Sequence, residues 1–225
     1  MDALCNFHTH KSVNLPNQRE LISTPITALR DSGSETVVRS LELHPWKLPE
    51  RFRPLGETFN RMAMFLPVIG ECGLDKLRGP ELSTQILFLE AIFDLAEVNR
   101  KPVVLHIVRA SAEFLGILKR KKVTVPLLWH NFRGSAGLFQ QMLKIPTLSF
   151  SFTQTGIFEP YLPDCLTKNP QLLTRIGLET DDAEVDLARI YHSAATFWKI
   201  PQEKLTEQMT ENFETFTRYG RGSNI

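Results

Sequence analysis

The chain has 225 residues, 42% hydrophobic and 23% charged, and its 26 basic against 25 acidic side chains leave a net charge of +1. That is apolar material for one sizeable core, so a single domain over residues 1–225 is expected, and the near-neutral balance excludes a strongly basic body that grips a long duplex through many phosphates. No run approaches the roughly 18 to 20 apolar residues of a membrane span. The opening MDALCNFHTH enters strand-like sequence with no basic segment and apolar signal core. Three cysteines, Cys5, Cys72 and Cys165, form neither a disulfide framework nor a zinc-ribbon spacing and read as packing residues in a reducing compartment. A cytoplasmic protein is expected, with no membrane contact and no obligate protein partner.

In chain order, apolar runs suited to buried parallel strands fall at Ala3 to Thr9, Thr36 to Leu43, Phe65 to Gly70, Pro102 to Val108, Pro126 to Phe132, Thr147 to Phe152 and Arg175 to Thr180. Helical patterns lie between most of them. The clearest is Ser83 to Asn99, where Ser83 suits the N-cap and Ile86, Leu89, Phe93 and Ala96 recur at helical spacing. Others are Ser111 to Lys121, Ser135 to Lys144, Glu184 to Lys199 and Pro201 to Arg218. The basic run Lys119 to Lys122 reads as a helix C-terminus, where the dipole favours cations.

The alternation implies an α/β fold, and this many repeats implies a TIM-type (β/α) barrel. One stretch breaks the pattern. Glu20 to Thr27 suits a short strand, but too few residues separate it from Thr36 for the usual helical crossover. The barrel is therefore expected to be trimmed or distorted near its second strand, in keeping with a length below the roughly 250 residues usual for the architecture.

Six residues end or closely follow these strands: His8, His10, Glu71, His106, His130 and Asp181. Side chains alternate along a strand, so His8 and His10 point into the barrel together while Phe7 and Thr9 point outward. The same parity turns Glu71, His106 and His130 inward and Cys72, Trp129 and Asn131 outward. Catalytic residues of such barrels lie at the C-terminal strand ends. Four imidazoles and two carboxylates there describe a site for one divalent ion, or for two sharing a carboxylate.

The segments NFHTH, LELHPW, IGECGLD, PVVLHIVRA, WHNFRGS, LSFSF, IGLETD and ENFETF, in this order from residue 6 to residue 216, resemble the TatD family of metal-dependent deoxyribonucleases within the amidohydrolase-like barrels. The resemblance implies that His8, His10, Glu71 and Asp181 hold one metal and that Glu71, His106 and His130 hold a second. It also places His44 near substrate. Two positions depart from the family pattern. Asn6 stands where members usually carry Asp, facing inward beneath His8 as a residue behind the ligands, and Asp181 is followed by Asp182 where the family has Pro.

A bound divalent ion lowers the pKa of its water, so hydrolysis by a metal-activated water is the expected chemistry, with Glu71 and Asp181 as the catalytic carboxylates. Asp181 is placed to orient that water and accept its proton, with Glu179 behind it on the same inward face. For a phosphodiester substrate, Arg109 and Arg133, three residues beyond His106 and His130, are the first choices for phosphate contact, followed by Lys76. Lys47 and Arg78 read as solvent-facing loop charges. Imidazole and carboxylate donors suit Mg, Mn or Zn. DNA is the expected substrate; the alternatives are a small ester, amide or phosphoester, or a metal-binding protein with little catalysis.

Overall fold

A computed structural model describes residues 3–13, 15–29, 34 and 36–220 of the chain. The strands are β1 (Leu4–Thr9), β2 (Gln18–Pro25), β3 (Val37–Leu43), β4 (Val68–Asp75), β5 (Val103–Val108), β6 (Leu127–Trp129), β7 (Leu148–Phe152) and β8 (Ile176–Leu178). The helices are α1 (Glu57–Phe65), α2 (Leu82–Asn99), α3 (Ser111–Arg120), α4 (Ala136–Met142), α5 (Leu162–Lys168), α6 (Leu187–Trp198) and α7 (Gln202–Thr217). The strands form one sheet in the order β1 to β8, with parallel pairing, and Thr9 at the end of β1 bridges to Asp181 beyond β8. This is the TIM-type (β/α) barrel class. The irregularity near the second strand is present. β2 pairs parallel with β1 through a register shift between Asn6 and Thr9, no helix joins them among the described residues, and a three-residue 3-10 turn, Ile26–Ala28, follows β2.

The chain divides into two compact units. The first comprises Met1–Ile22, Gly33–Val38 and His130–Phe216. Its core is a ring-on-ring cluster in which Phe150 lies 5.0 Å from Phe132 and 4.9 Å from Phe139. Phe7, on the outward parity of β1, meets Phe213 of α7 edge to face at 5.5 Å. A Cβ at Gly177 of β8 would come within 2.5 Å of the Phe7 ring, so only glycine lets that ring lie flat on the strand. The buried Tyr191 hydroxyl of α6 donates to the Cys5 carbonyl and accepts the Cys5 N–H, tying α6 to β1. The helix-free β1–β2 connection is held by Glu20, whose carboxylate accepts from Ser12 Oγ at 2.6 Å and the Val13 N–H at 3.2 Å.

The second unit comprises Ser23–Ser32, Arg39–Trp129 and Thr217–Ile225. α2 lays Phe88, Leu89, Ile92, Phe93 and Ala96 into the core. The expected cap at Ser83 is not used: Glu81 occupies the N-cap position without a side-chain hydrogen bond. Ile86 is half-buried, and the buried position beside it belongs to Gln85, which periodicity of apolar residues could not find. The basic run ends α3, as expected, and pairs with α2, Arg120 with Glu90 at 2.9 Å and Lys121 with Asp94 at 2.5 Å. α1 is a helix the sequence reading missed. It buries Phe59 and Ala63 and leaves Met64 and Phe65 exposed. The cysteine reading agrees with burial of Cys5 and Cys72, which pushes the Cys5 thiol up to about 11 and that of Cys72 further.

Two stability predictions follow from these contacts. Gly177→Ala drives a methyl into Phe7 and is expected to cost about 1–3 kcal/mol, read as a lower Tm by calorimetry. Glu97 caps the strand entry at Thr124 and Val125, accepting Thr124 Oγ1 at 2.7 Å and the Val125 N–H at 3.0 Å. Burial raises its carboxyl pKa, but these donors and Lys122 outweigh it and hold the group below its ordinary value. Its contribution is therefore full above the unfolded carboxylate pKa of about 4.3 and is lost as pH falls through the lower folded value. Urea denaturation should show Glu97→Gln less stable than wild type at neutral pH, and the gap should close in acid.

Candidate metal centre

In the first unit, β1 carries His8 in complete burial and ends just before His10, whose side chain is 27% exposed. Their rings meet edge to face at 5.0 Å. Asp181 is delivered to them by backbone: its N–H donates to the His8 carbonyl at 3.0 Å, and Thr9 Oγ1 donates to its carbonyl at 3.1 Å. The residue holds φ at 54°, a left-handed turn that swings the carboxylate off the strand direction. Its Oδ1 lies 3.8 Å from both His8 Nε2 and His10 Nε2. That is beyond hydrogen-bonding distance, yet two donors each about 2.1 Å from one ion stand roughly 3–4 Å apart.

His130 and Glu179 extend this set. His130 Nδ1 faces Glu179 Oε1 at 3.3 Å, and its ring centre lies 4.2 Å from that of His8. A carboxylate on Nδ1 leaves Nε2 as the ligating nitrogen, the usual arrangement behind a metal-bound imidazole. Glu179 is fully buried and its Oε2 has no hydrogen-bond partner among the described residues. An unpartnered buried carboxylate oxygen costs several kcal/mol in the absence of a cation. His8, His10 and Asp181 bring donor atoms within 4.8 Å of one another, as do His130, Glu179 and Asp181. The residues present thus fit a divalent ion.

Asn6 and Asn131 hold the site from behind. Asn6 Nδ2 donates to Thr180 Oγ1 at 2.8 Å, and its Oδ1 accepts the Thr180 N–H at 3.1 Å. An amide makes both contacts at once, which explains how Asn serves at this position. Asn131 corrects the parity reading. β6 ends at Trp129, and Asn131 turns left-handed with φ 45°, so its Nδ2 reaches Asp181 Oδ2 at 3.1 Å instead of pointing outward. Its Oδ1 accepts from Thr153 Oγ1 at 3.2 Å and from Arg133 Nε at 3.3 Å. Arg133 also donates to Thr155, so much of its guanidinium serves the protein itself.

In the second unit, Glu71 is buried on β4. Gly70 before it has φ 116°, and a Cβ there would lie 2.3 Å from the Val104 carbonyl oxygen, so the strand approaches β5 more closely than any side chain permits. The register between the two strands shifts at this point. Glu71 Oε1 lies 2.6 Å from His106 Nδ1 and 3.4 Å from His44 Nε2. His106 Nε2 lies 3.1 Å from Asp75 Oδ2. A neutral imidazole has one N–H and can donate to one of these carboxylates, not both. The 2.6 Å contact with Glu71 is a hydrogen bond, which leaves the 3.1 Å pair, His106 Nε2 and Asp75 Oδ2, as the one where a second proton or a cation fits. His44 Nδ1 accepts the Trp46 N–H at 3.2 Å, so a neutral His44 carries its proton on Nε2 and acts toward Glu71 as a donor.

Asp75 is the residue the sequence reading missed, although parity from Glu71 would have turned it inward. Burial raises its carboxyl pKa, but donors from Trp46, Leu77 and His106 outweigh this and hold it below the ordinary range. Lys47 is also more than a loop charge: it bonds the buried Glu42 at 2.6 Å, and Glu42 in turn accepts from Ser23, which receives the Glu71 N–H. Of the expected phosphate contacts in this unit, Arg109 is exposed in a left-handed turn, whereas Lys76 is paired with Glu113 at 2.7 Å.

A parallel barrel with imidazoles and carboxylates gathered at its strand ends defines the class of protein. The family described as TatD related DNase matches residues 11–218, and the chain belongs to it. It is 31% identical over 108 residues to the uncharacterized metal-dependent hydrolase MG009 of Mycoplasma genitalium; the match takes in 47% of this chain and spans 41% of that protein's length. Among solved structures it resembles YJJV, a TatD homolog from Escherichia coli K12, with a TM-score of 0.75 at 20% identity over 96% of this chain and 97% of that one. It also resembles a TatD family hydrolase from Entamoeba histolytica, with a TM-score of 0.74 at 13% identity over 97% and 98% of the two chains. At such identities these two likenesses concern the fold.

Because Asn131 fixes the Asp181 carboxylate, Asn131→Ala is expected to weaken divalent metal binding on the order of 10- to 100-fold. Titration calorimetry with Mn²⁺ measures this, with a melting curve to establish that the variant is folded.

Proposed function

We propose that the chain is a metal-dependent hydrolase that cleaves phosphodiester bonds in DNA, a TatD-type deoxyribonuclease. The observation that carries this reading is Asp181 Oδ1 set 3.8 Å from both His8 Nε2 and His10 Nε2, a donor set too widely spaced for hydrogen bonds. Family membership supports the reaction class.

His8, His10, His130 and Asp181 would hold one divalent ion, and Glu71 with His106 a second, with Mg, Mn or Zn all compatible with these donors. When bound, such an ion lowers the pKa of water and screens the charge on a phosphate. The chain's own residues do the rest. Asp181, with Oδ2 fixed by Asn131, presents Oδ1 to orient the attacking water and receive its proton. Glu179 holds the His130 ring through Nδ1. Asp75 and Glu71 bracket His106 and set the direction of both its nitrogens. His44 donates a hydrogen bond from Nε2 to Glu71 or to substrate. Arg109, exposed beyond β5, meets a phosphate; Arg133 does so while bracing Asn131.

A second reading, hydrolysis of a small ester or phosphoester, draws on one feature. A largely apolar cavity of about 390 Å³ lies beside Asp181, lined by Asn6, Thr9, Val13, Leu15 and Val185 among others. It would accept the leaving portion of a compact substrate.

The metal-loaded protein is expected to cleave DNA oligonucleotides, and Asp181→Asn to lose at least about 100-fold in kcat, the scale of a positioned proton acceptor. Gel assays across Mg²⁺, Mn²⁺ and Zn²⁺ check this. No cleavage with any ion, or equal cleavage by the variant, overturns the reading. Turnover of p-nitrophenyl esters or phosphoesters without DNA cleavage would select the small-substrate alternative.

A further inference from the structure

We propose that Trp46 and Arg78 form a binding platform for single-stranded nucleic acid, a base stacking on the indole–guanidinium pair and the Arg78 charge meeting a phosphate. The proposal rests on the phosphodiesterase reading and names the contact that holds its polymeric substrate. Trp46 is 46% exposed, an unusual position for a large aromatic that is also anchored. Its Nε1 donates to Asp75 Oδ2 at 2.6 Å, and its ring lies 4.7 Å from His44 and 5.8 Å from His106, so it stands beside the Glu71 cluster. The Arg78 guanidinium carbon sits 4.4 Å from the indole centre. Arg78, expected as a solvent-facing loop charge, lies on an aromatic face.

The platform is rigid by construction. Gln85, buried at the start of α2, shares its two Nε2 hydrogens among the carbonyls of Asp75, Arg78 and Pro80, while its Oε1 accepts the Asp75 N–H at 2.7 Å. Gly79 has φ 89°, and a Cβ there would strike the Pro45 carbonyl oxygen at 2.5 Å, so the Arg78 loop is pressed directly on the Trp46 turn. Holding both side chains before the ligand arrives removes much of the ordering cost of binding. The neighbouring segment adds exposed Arg51 and Arg53. Cation and flat π-face together match a nucleotide, whose base stacks and whose phosphate carries the counter-charge. The strand must be single, because bases within a duplex have no free face to offer.

Intrinsic fluorescence reads the platform directly. The chain has three tryptophans, and Trp129 and Trp198 are 3% and 2% exposed, so quenching by a ligand reports Trp46. Titrating the full chain with oligo(dT) is expected to give saturable quenching. In anisotropy titrations with labelled oligo(dT), Trp46→Ala should weaken binding on the order of tenfold, and Trp46→Phe, which keeps a flat ring, should retain most of it. Arg78→Ala should weaken binding and reduce the slope of log Kd against log salt by about 0.7, the loss of one phosphate contact. Absence of quenching, wild-type affinity in both Trp46→Ala and Arg78→Ala, or equal quenching by polyglutamate overturns the platform. DNA cleavage with binding unchanged in these variants refutes the platform and leaves the hydrolase reading standing. Quenching with the expected variant losses but no cleavage under any ion supports the platform and refutes the nuclease.

Discussion

The first unit depends on a backbone pairing, the Asp181 N–H donating to the His8 carbonyl while Thr9 Oγ1 donates to the Asp181 carbonyl. It joins the end of β1 to the residue beyond β8, and it does so where a carboxylate must face two imidazoles. Position and chemistry are thereby set by the same atoms. The left-handed turn at Asp181 aims the side chain, and Asn131 and the Asn6–Thr180 pair keep it aimed. Burying this much potential charge is expensive unless every carboxylate meets a donor or a cation. The hydrogen bonds supply donors for Asp181 Oδ2 and for one oxygen of Glu179; the open Oε2 of Glu179 marks where a cation is needed.

The second unit solves the same problem differently. Glu71, His106 and Asp75 form a chain of contacts on β4 and β5, made possible because Gly70 lets the strands approach beyond the limit of a side chain. Asp75 ends that chain on Trp46, whose indole is at once a donor to the cluster and a partly exposed face. Gln85 then links the helix behind to the loop in front through three carbonyls. A polar side chain in a helix core is tolerated because each of its atoms is bonded, and it converts a loop of charged residues into a fixed surface.

The fold was legible in sequence because parallel strands buried on both faces read as unbroken apolar runs, and their alternation with helical patterns leaves few architectures. Strand β2 was visible but its crossover was not, since a connection without a helix carries no periodic signal; it is held by Glu20 instead. α1 escaped because its C-terminal Phe65 runs on into the apolar start of β4 and reads as strand. At the site, strand parity works only while the strand lasts. It reached His8 and Glu71, which lie within β1 and β4, and it failed at Asn131, two residues beyond β6, where a left-handed turn reverses the direction.

By itself the sequence determined which donors exist, their spacing, the barrel class and the family, because residue chemistry and hydrophobic period are local properties of the chain. Tertiary structure alone decided which nitrogen of His44 and His130 is engaged, that Lys76 and Lys47 are paired with carboxylates, and that Arg78 lies over Trp46. Those outcomes depend on contacts between segments far apart in the chain, and a hydrogen bond or a stacked cation is settled by distances of a few tenths of an ångström that no spacing rule specifies.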